Sequence, residues 1–423
     1  MLRLIAIGLV LAASARAADV LKLDDAIAIA LENNRNLQSS ALNVAKAREQ
    51  LAATRTRQFP GINLYALGAQ QLQSYDVVVE GVHMTTPIQP TGTIISQVKQ
   101  PLSSLIRIHR NMDMLKTGVK LAQEQTRSDR QKLTREVKRV YYSLQQVESS
   151  LRSVRETTIL YQEIAKLTSN YVLQEVALRG DLLDAQTRLA RSEQLDVQLR
   201  NQEAASKEQL NLLLGRDFAT EFNVQPVLEA KSTEYTIEEA RAMAVRNRPE
   251  IRQAELQHLQ ATQDLRSKKA EYIPDVSAEF NSLNFLNWGR YIPTQSVSVG
   301  VSLSWEPFDW GRRKHEAAQK QRTVDQAKLA QTEAESQVVI DVNDKHRQLR
   351  YRQAELRVVQ LAQQTAIENL RVAKNKFAVQ AMLVKDILQA QVSLEQSNAD
   401  YQQALTTFWN ARADFERALG EDQ

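Results

Sequence analysis

Prolines mark where this chain can and cannot be helical. Nine occur in 423 residues, most of them in two clusters: Pro60, Pro87, Pro90 and Pro101, then Pro274, Pro293 and Pro307. Pro226 and Pro249 lie between the clusters. None occurs from Leu102 to Gln225, or from Phe308 to the end. Proline lacks an N–H and clashes with the preceding turn, so long helices need stretches without it. Those two stretches are expected to be helical over great length, and the clusters to bracket two short non-helical insertions. Composition agrees. Glycine is scarce, at 12, mean hydropathy is −0.42, and Ala, Leu, Gln, Glu, Lys and Arg predominate. That is a chain of long polar helices rather than of ordinary globular domains.

The spacing also repeats. Leu23-Asp24-Asp25-Ala26 recurs as Ile237-Glu238-Glu239-Ala240, and Leu42, Leu51 and Pro60 recur in step as Leu256, Leu265 and Pro274. Asp181-Leu182-Leu183-Asp184-Ala185-Gln186 recurs as Asp386-Ile387-Leu388-Gln389-Ala390-Gln391, followed by Leu214-Gly215 and Leu419-Gly420. The later offset is shorter, so the first copy has the longer hairpin. The expected organisation is two copies of helix, β-hairpin, long helix, tip and helix. The first occupies 18–215, with its hairpin at about 61–100 and its tip at about 171–181. The second occupies 237–420, with its hairpin at about 275–306 and its tip at about 377–385. Residues 216–236 form a linker with a candidate strand near Phe222 to Leu228, and 421–423 a tail.

In the first long stretch, Leu133, Val137, Val140, Leu144, Val147, Leu151 and Val154 alternate spacings of four and three. This is the coiled-coil period. Val338, Val342, Leu349, Leu356 and Val359 carry it in the second copy, interrupted by Lys345 and Arg352. Such stripes pack helix against helix and hold no cofactor. The N-terminus differs in kind. Arg3, the apolar run Leu4 to Ala13 and Ala15-Arg16-Ala17 form a secretory leader over 1–17, cut after Ala17. Export with no cysteine suits a bacterial envelope.

The sharpest local pattern lies in the second hairpin. From Gln295 to Glu306, Val297, Val299, Val301, Leu303 and Trp305 share one face, and Ser296, Ser298, Gly300, Ser302, Ser304 and Glu306 the other. Strict period-two alternation over this length, with a terminal tryptophan, matches a membrane-crossing strand. A half-buried soluble hairpin alternates in the same way, but no other sheet is legible to cover it. Val276, Ala278 and Phe280 begin its partner strand. The first hairpin, around Ile62 to Gln73 and Thr91 to Gln100, is less regular and its faces stay unassigned. Two hairpins give about four strands, too few to close a barrel, and an open edge is not tolerated in lipid. The barrel must be shared between chains, two or three of them.

These residues bring the chain to a family. Leu23-Asp24-Asp25-Ala26-Ile27 with Asn33-Asn34, Asn247-Arg248-Pro249-Glu250, Glu306-Pro307-Phe308-Asp309-Trp310-Gly311, Asp386-Ile387-Leu388-Gln389-Ala390 and Ala418-Leu419-Gly420 stand in the order of the TolC-type outer-membrane efflux proteins, which the mature chain resembles throughout. The resemblance implies a mainly α fold with a small β part. Long coiled-coil hairpins would form a trimeric α-barrel in the periplasm, below a shared 12-stranded outer-membrane β-barrel with four strands per chain. It implies no enzyme and no cofactor. The implied partners are two further copies, a periplasmic adaptor, an inner-membrane transporter and outer-membrane lipid. The implied function is a passive exit duct. The outer channel of type I protein secretion is an alternative within the class, and a periplasmic coiled-coil scaffold one outside it.

Two departures from the family stand out. Its Val-Gly pair at the periplasmic turns is replaced by Gln174-Glu175 and Val379-Gln380, the candidate adaptor-contact tips. Where acidic residues often line the inner entrance, this chain has Arg371, followed by Lys374 and by Lys385 past the turn. These three are candidates for a basic entrance. The plainer alternative is that they point into solvent or pair with Glu368 and Glu175.

Other chemistry finds no support. Lys+Arg 54 against Asp+Glu 50 gives a net charge of +4, too small a field for nucleic acid. The absence of cysteine removes disulfides, thiol catalysis and a lipid-anchoring cysteine. His83, His109, His258, His315 and His346 are scattered without metal-ligand spacing. Asp181 and Asp184 read as first-turn acids of a helix rather than catalytic partners.

Overall fold

Two helices of 69 and 67 residues, α3 (Leu105–Leu173) and α7 (Arg312–Ala378), fill the proline-free stretches. At 1.5 Å per residue each is about 100 Å long. The computed structural model describes residues 19–74, 76–79, 81–85, 88–226, 235–288, 293–379 and 381–421. The leader expected at 1–17 lies outside them. Each half follows one order. The first runs β1 (Asp19–Leu21), α1 (Leu23–Asn33), α2 (Arg35–Thr56), β2 (Gly61–Gln70), β3 (Asp76–Val79), β4 (Val82–Thr85), β5 (Pro90–Pro101), α3 and α4 (Arg179–Leu214). The second runs β6 (Phe222–Val224), α5 (Ile237–Asn247), α6 (Pro249–Lys269), a 3-10 turn at Ala270–Tyr272, β7 (Asp275–Leu286), β8 (Gln295–Ser304), α7 and α8 (Val384–Ala418). Among the described residues, no helix is long and apolar enough to cross a membrane.

The chain forms two compact units. One comprises residues up to Ser39, Arg127–Arg248 and Gln337 onward. Its core holds the first coiled-coil seam: Val137, Val140, Leu144, Val147 and Leu151 are all buried. It also holds a parallel pair, β1 with β6, which pairs Asp19 with Phe222 and Leu21 with Val224. Tyr141, fully buried, ties the two strands. Its hydroxyl lies 2.8 Å from the carbonyl oxygens of Leu21 and Gln225, sharing one proton between them, and accepts the Gln225 N–H at 3.1 Å. Burial pushes this hydroxyl up to about 12.

The repeated motifs have a backbone reason in this unit. Gly215 caps α4 in the left-handed region (φ 67°), and a Cβ there would sit 2.4 Å from the Asn33 carbonyl oxygen. Gly420 (φ 76°) would place a Cβ 2.8 Å from the Asn247 carbonyl carbon. Each glycine presses on a helix break, between α1 and α2 or between α5 and α6. Asn34 secures the first break: its side chain donates to the Leu213 carbonyl (2.9 Å) and accepts the N–H groups of Asn36 and Leu37. Arg248 secures the second, donating to Asp341 (2.9 Å) and to the Ala418 carbonyl (3.4 Å). Pro249 follows at the first position of α6, where a missing N–H costs nothing.

The other unit, Ser40–Thr126 and Pro249–Ser336, holds the main sheet, with antiparallel order β2-β5-β7-β8. The β3–β4 pair is a small separate hairpin between β2 and β5, and it accounts for the greater length of the first insertion. Ser103 locks the two insertions together, donating to the Pro274 carbonyl (2.6 Å) and accepting the Val276 N–H (2.7 Å).

Candidate functional site: the sheet faces, the strand-to-helix rim and the tips

Register assigns the residues of the sheet to two faces, which contrast most sharply on β8. Directly opposed residues share a face. Val299 stands opposite Phe280, Phe280 opposite Val98, and Val98 opposite Ile62. This gives one continuous apolar row, and it extends the alternation of β8 into the first hairpin, whose faces the sequence left open. On β8, Val297, Val299, Val301 and Leu303 are exposed, Val299 at 81%. Four adjacent exposed aliphatics on one sheet face form a contiguous apolar patch. Trp305, just past the strand, is exposed as well.

The opposite face carries Ser296, Ser298, Ser302 and Ser304; the last three have polar neighbours, whereas Ser296 stands opposite Leu283. Ser298 stands opposite Asn281, Asn281 opposite Gln97, and Gln97 opposite Asn63. One row on, Lys99 pairs with Glu279 at 2.9 Å, and the Ser302 hydroxyl donates to the same carboxylate at 2.6 Å. This charged pair was missed by sequence reading. Its only local signal is that Lys99 and Glu279 each fall on the polar phase of their strands. The polar character ends toward the far end of the sheet, where Tyr65, Ile95 and Leu283 stand in one row.

Where β8 passes into α7, Asp309 accepts the N–H groups of Gly311 and Arg313, each at 3.1 Å, which caps the helix as its sequence position predicts. Burial opposes its charge, but those N–H groups and the Arg313 guanidinium outweigh it and hold the carboxyl below its ordinary range. Trp310 takes a left-handed backbone (φ 57°), packs edge-on against Phe308 with ring centroids 4.8 Å apart, and is 89% exposed.

At the tips, α3 ends in a two-bond cap. The Val176 N–H reaches the Tyr171 carbonyl (2.9 Å) and the Glu175 N–H reaches the Val172 carbonyl (3.1 Å). This is a Schellman motif, whose left-handed position is usually glycine. Here it is Glu175, at φ 60°. Gln174 precedes it in the same turn. The second tip repeats the long bond, Ala381 N–H to the Lys376 carbonyl at 2.9 Å. Val379 is exposed there, and Gln380 lies outside the described residues. Arg371 is engaged by Glu368 one turn back (2.6 Å), the plainer of its two sequence readings. Lys374 and Lys385 are exposed and make no ion pair among the described residues. Asp181 accepts the Leu178 N–H (3.2 Å) at the start of α4, and Asp184 pairs with Arg188 (3.2 Å), so both acids serve their helix.

Comparison with known proteins fits this geometry. Outer membrane efflux protein sequences match residues 26–216 and 240–421, most of the chain. The chain belongs to the outer membrane efflux protein family. This efflux protein is similar in fold to the outer-membrane channel OprN (TM-score 0.80, 18% identity, 95% of this chain and 90% of that one). It is equally similar to a membrane protein from Pseudomonas aeruginosa (TM-score 0.80, 21% identity, 94% and 93%). The Campylobacter jejuni CmeC outer membrane channel gives TM-score 0.80 at 13% identity, over 94% and 85%. An uncharacterised Haemophilus influenzae protein is 20% identical over 307 residues, and the match spans 71% of this efflux protein and 66% of that relative, just under two thirds of its length.

Proposed function

We propose that three copies of this chain join their sheets edge to edge into a twelve-stranded barrel, continued by their helices as a passive exit duct for substrates driven by an inner-membrane pump through a periplasmic adaptor. The observation that carries this reading is the strand order β2-β5-β7-β8 beside an apolar face. That order leaves β2 and β8 with unpaired edges. Each unsatisfied backbone group in lipid costs several kcal/mol, so a sheet with a lipid face needs neighbours at both edges. Four strands do not close alone, and three copies supply twelve. The family resemblance favours three over two.

On this reading Val297, Val299, Val301, Leu303 and Trp305 face lipid, and Ser296, Ser298, Ser302 and Ser304 line the lumen. The two-copy organisation, 18–215 and 237–420, provides each chain with its two hairpins. The turns at Gln174-Glu175 and Val379-Gln380 meet the adaptor. Lys374 and Lys385 keep the entrance basic, with Arg371 neutralised by Glu368.

The detergent-extracted protein is expected to have the mass of a trimer and to conduct ions in planar bilayers. A water-soluble monomer without conductance would sink the reading. Faces are tested separately, since the chain has no cysteine of its own. Cysteines at Ser298 or Ser302 should react with a water-soluble maleimide in membranes, and those at Val299 or Val301 should not. Equal labelling would discard the assignment.

A further inference from the structure

We propose that the helical rim of the sheet binds anionic phospholipid, with aromatic side chains seated at the bilayer edge and unpaired cations holding headgroup phosphates. The inference rests on the sheet spanning the membrane and adds a lipid preference to it. The rim is one layer. Gln100 at the end of β5 donates to the Gln58 carbonyl just beyond α2 (3.1 Å). Lys268 near the end of α6 bridges Glu271 and Glu316, each at 2.7 Å. The Arg313 guanidinium lies 5.8 Å over the Tyr272 ring. Phe59, Tyr272, Trp305, Phe308 and Trp310 project from this layer, each more than half exposed. Aromatic side chains with a polar edge settle at membrane–water boundaries, and Trp305 continues the valine face of β8.

The charges of the rim do not balance. Its carboxylates are spoken for: Glu271 and Glu316 by Lys268, Asp275 by Arg107, Glu306 by Arg312 and Arg313, and Asp309 by Arg313. Arg55, Arg57, Arg266, Lys269 and Lys314 are exposed and have no carboxylate partner among the described residues. The surplus is of one sign and sits where an apolar face ends. Helix dipoles favour cations at the ends of α2 and α6, but they oppose Lys314 in the first turn of α7, which contains no acid. An external anion answers all five. Cations near an anionic membrane surface each contribute about 1 kcal/mol of attraction, roughly fivefold in binding.

The test is native mass spectrometry of the detergent-extracted protein in mixed micelles with equal phosphatidylglycerol and phosphatidylethanolamine. Wild type is expected to retain phosphatidylglycerol preferentially. The triple variant Arg57→Gln, Lys269→Gln, Lys314→Gln should lose that preference by roughly fivefold per cation. The charge-keeping variant Arg57→Lys, Lys269→Arg, Lys314→Arg should retain it. So should a control that removes three exposed cations elsewhere on the same unit, Lys46→Gln, Arg48→Gln, Lys328→Gln. The proposal is overturned if wild type holds both lipids equally, if the rim variant keeps its preference, or if the control loses as much. Retention of neither lipid overturns it together with the membrane-spanning reading, whereas equal retention leaves that reading standing.

Discussion

The two halves of the chain build the same elements with different side chains, and the differences separate what the backbone demands from what it permits. Both halves press a left-handed glycine onto a helix break, Gly215 on Asn33 and Gly420 on Asn247. No side chain can replace hydrogen there, so the residue recurs. The break itself is secured by the short amide of Asn34 in one half and by the buried guanidinium of Arg248 in the other. Only a donor at that place is required. The coiled-coil seams diverge further. The first is buried from Val137 to Leu151, whereas in the second Val338 and Val342 are buried but Leu349, Leu356 and Val359 only half so. The chain completes the first seam itself. The second retains half-buried apolar surface, which the proposed trimer would use.

The largest expected effect tests the shared demand. Gly215→Ala must accept a left-handed backbone, about 1–2 kcal/mol, and push the Asn33 carbonyl aside, another 1–3 kcal/mol as overpacking. Gly420→Ala meets the same backbone penalty with a less severe approach, so it should destabilise less. Urea unfolding of the purified protein checks the order. Equal and small losses would mean the glycines are not the fixed points of the two halves.

Next in size comes the sheet, where the halves should behave alike. Val299→Arg on the second hairpin and Leu64→Arg on the first lie on one face by register. An arginine on a lipid-facing strand at mid-depth costs about 2–4 kcal/mol, and one on the lumen side far less. Both variants should therefore refold poorly into vesicles, while Ser298→Arg should refold nearly as wild type. A tolerant Leu64→Arg would break the equivalence of the hairpins.

This equivalence could not be read from the sequence, for a physical reason. On β8, serine and valine alternate strictly, so one strand reveals both faces. On β2, Ile62, Leu64 and Ala66 lie on one face and Tyr65, Leu67 and Ala69 on the other, both largely apolar. Only pairing through β5 to β7 sorts them. The Lys99–Glu279 pair was hidden likewise, because it forms between separate hairpins. The three-residue strand β1 and the short β3–β4 pair carry too few residues for a period to show. The long helices were legible because absence of proline and a 3.5-residue stripe are local. So was the Arg371–Glu368 pair, one turn apart on a single helix.

Smaller effects are expected where the halves differ. Arg248→Met strands the Ala418 carbonyl and leaves Asp341 without its partner. Asn34→Ala removes a cap, worth about 0.5–2 kcal/mol. A hydrogen bond to a charged group is worth about 1.5–3 kcal/mol, so Arg248→Met should be the more damaging. Asp341→Asn in the Arg248→Met background should recover part of the loss, because it removes the stranded charge. Thermal unfolding of the three variants decides. No recovery would mean that Arg248 acts through packing alone.

The smallest predicted change should be stabilising, and it concerns the first tip. Glu175 occupies the left-handed position of a Schellman cap with both hydrogen bonds formed. A residue with a Cβ gives up about 1 kcal/mol there relative to glycine. A folded turn can hold that strain, because its two bonds close only in this geometry. Glu175→Gly should therefore slow amide exchange at Val176 and Ala177 about fivefold, with little change in global unfolding, since tips open locally. Two outcomes sharpen the comparison of the halves. If exchange slows and the adaptor binds as before, the glutamate is only a tolerated strain. If exchange slows and adaptor binding weakens, the carboxylate itself makes the contact, and the two tips of one chain dock by different chemistry. Unchanged or faster exchange would show that Glu175 is not strained, and that the left-handed position of this turn, unlike those of Gly215 and Gly420, accepts a side chain.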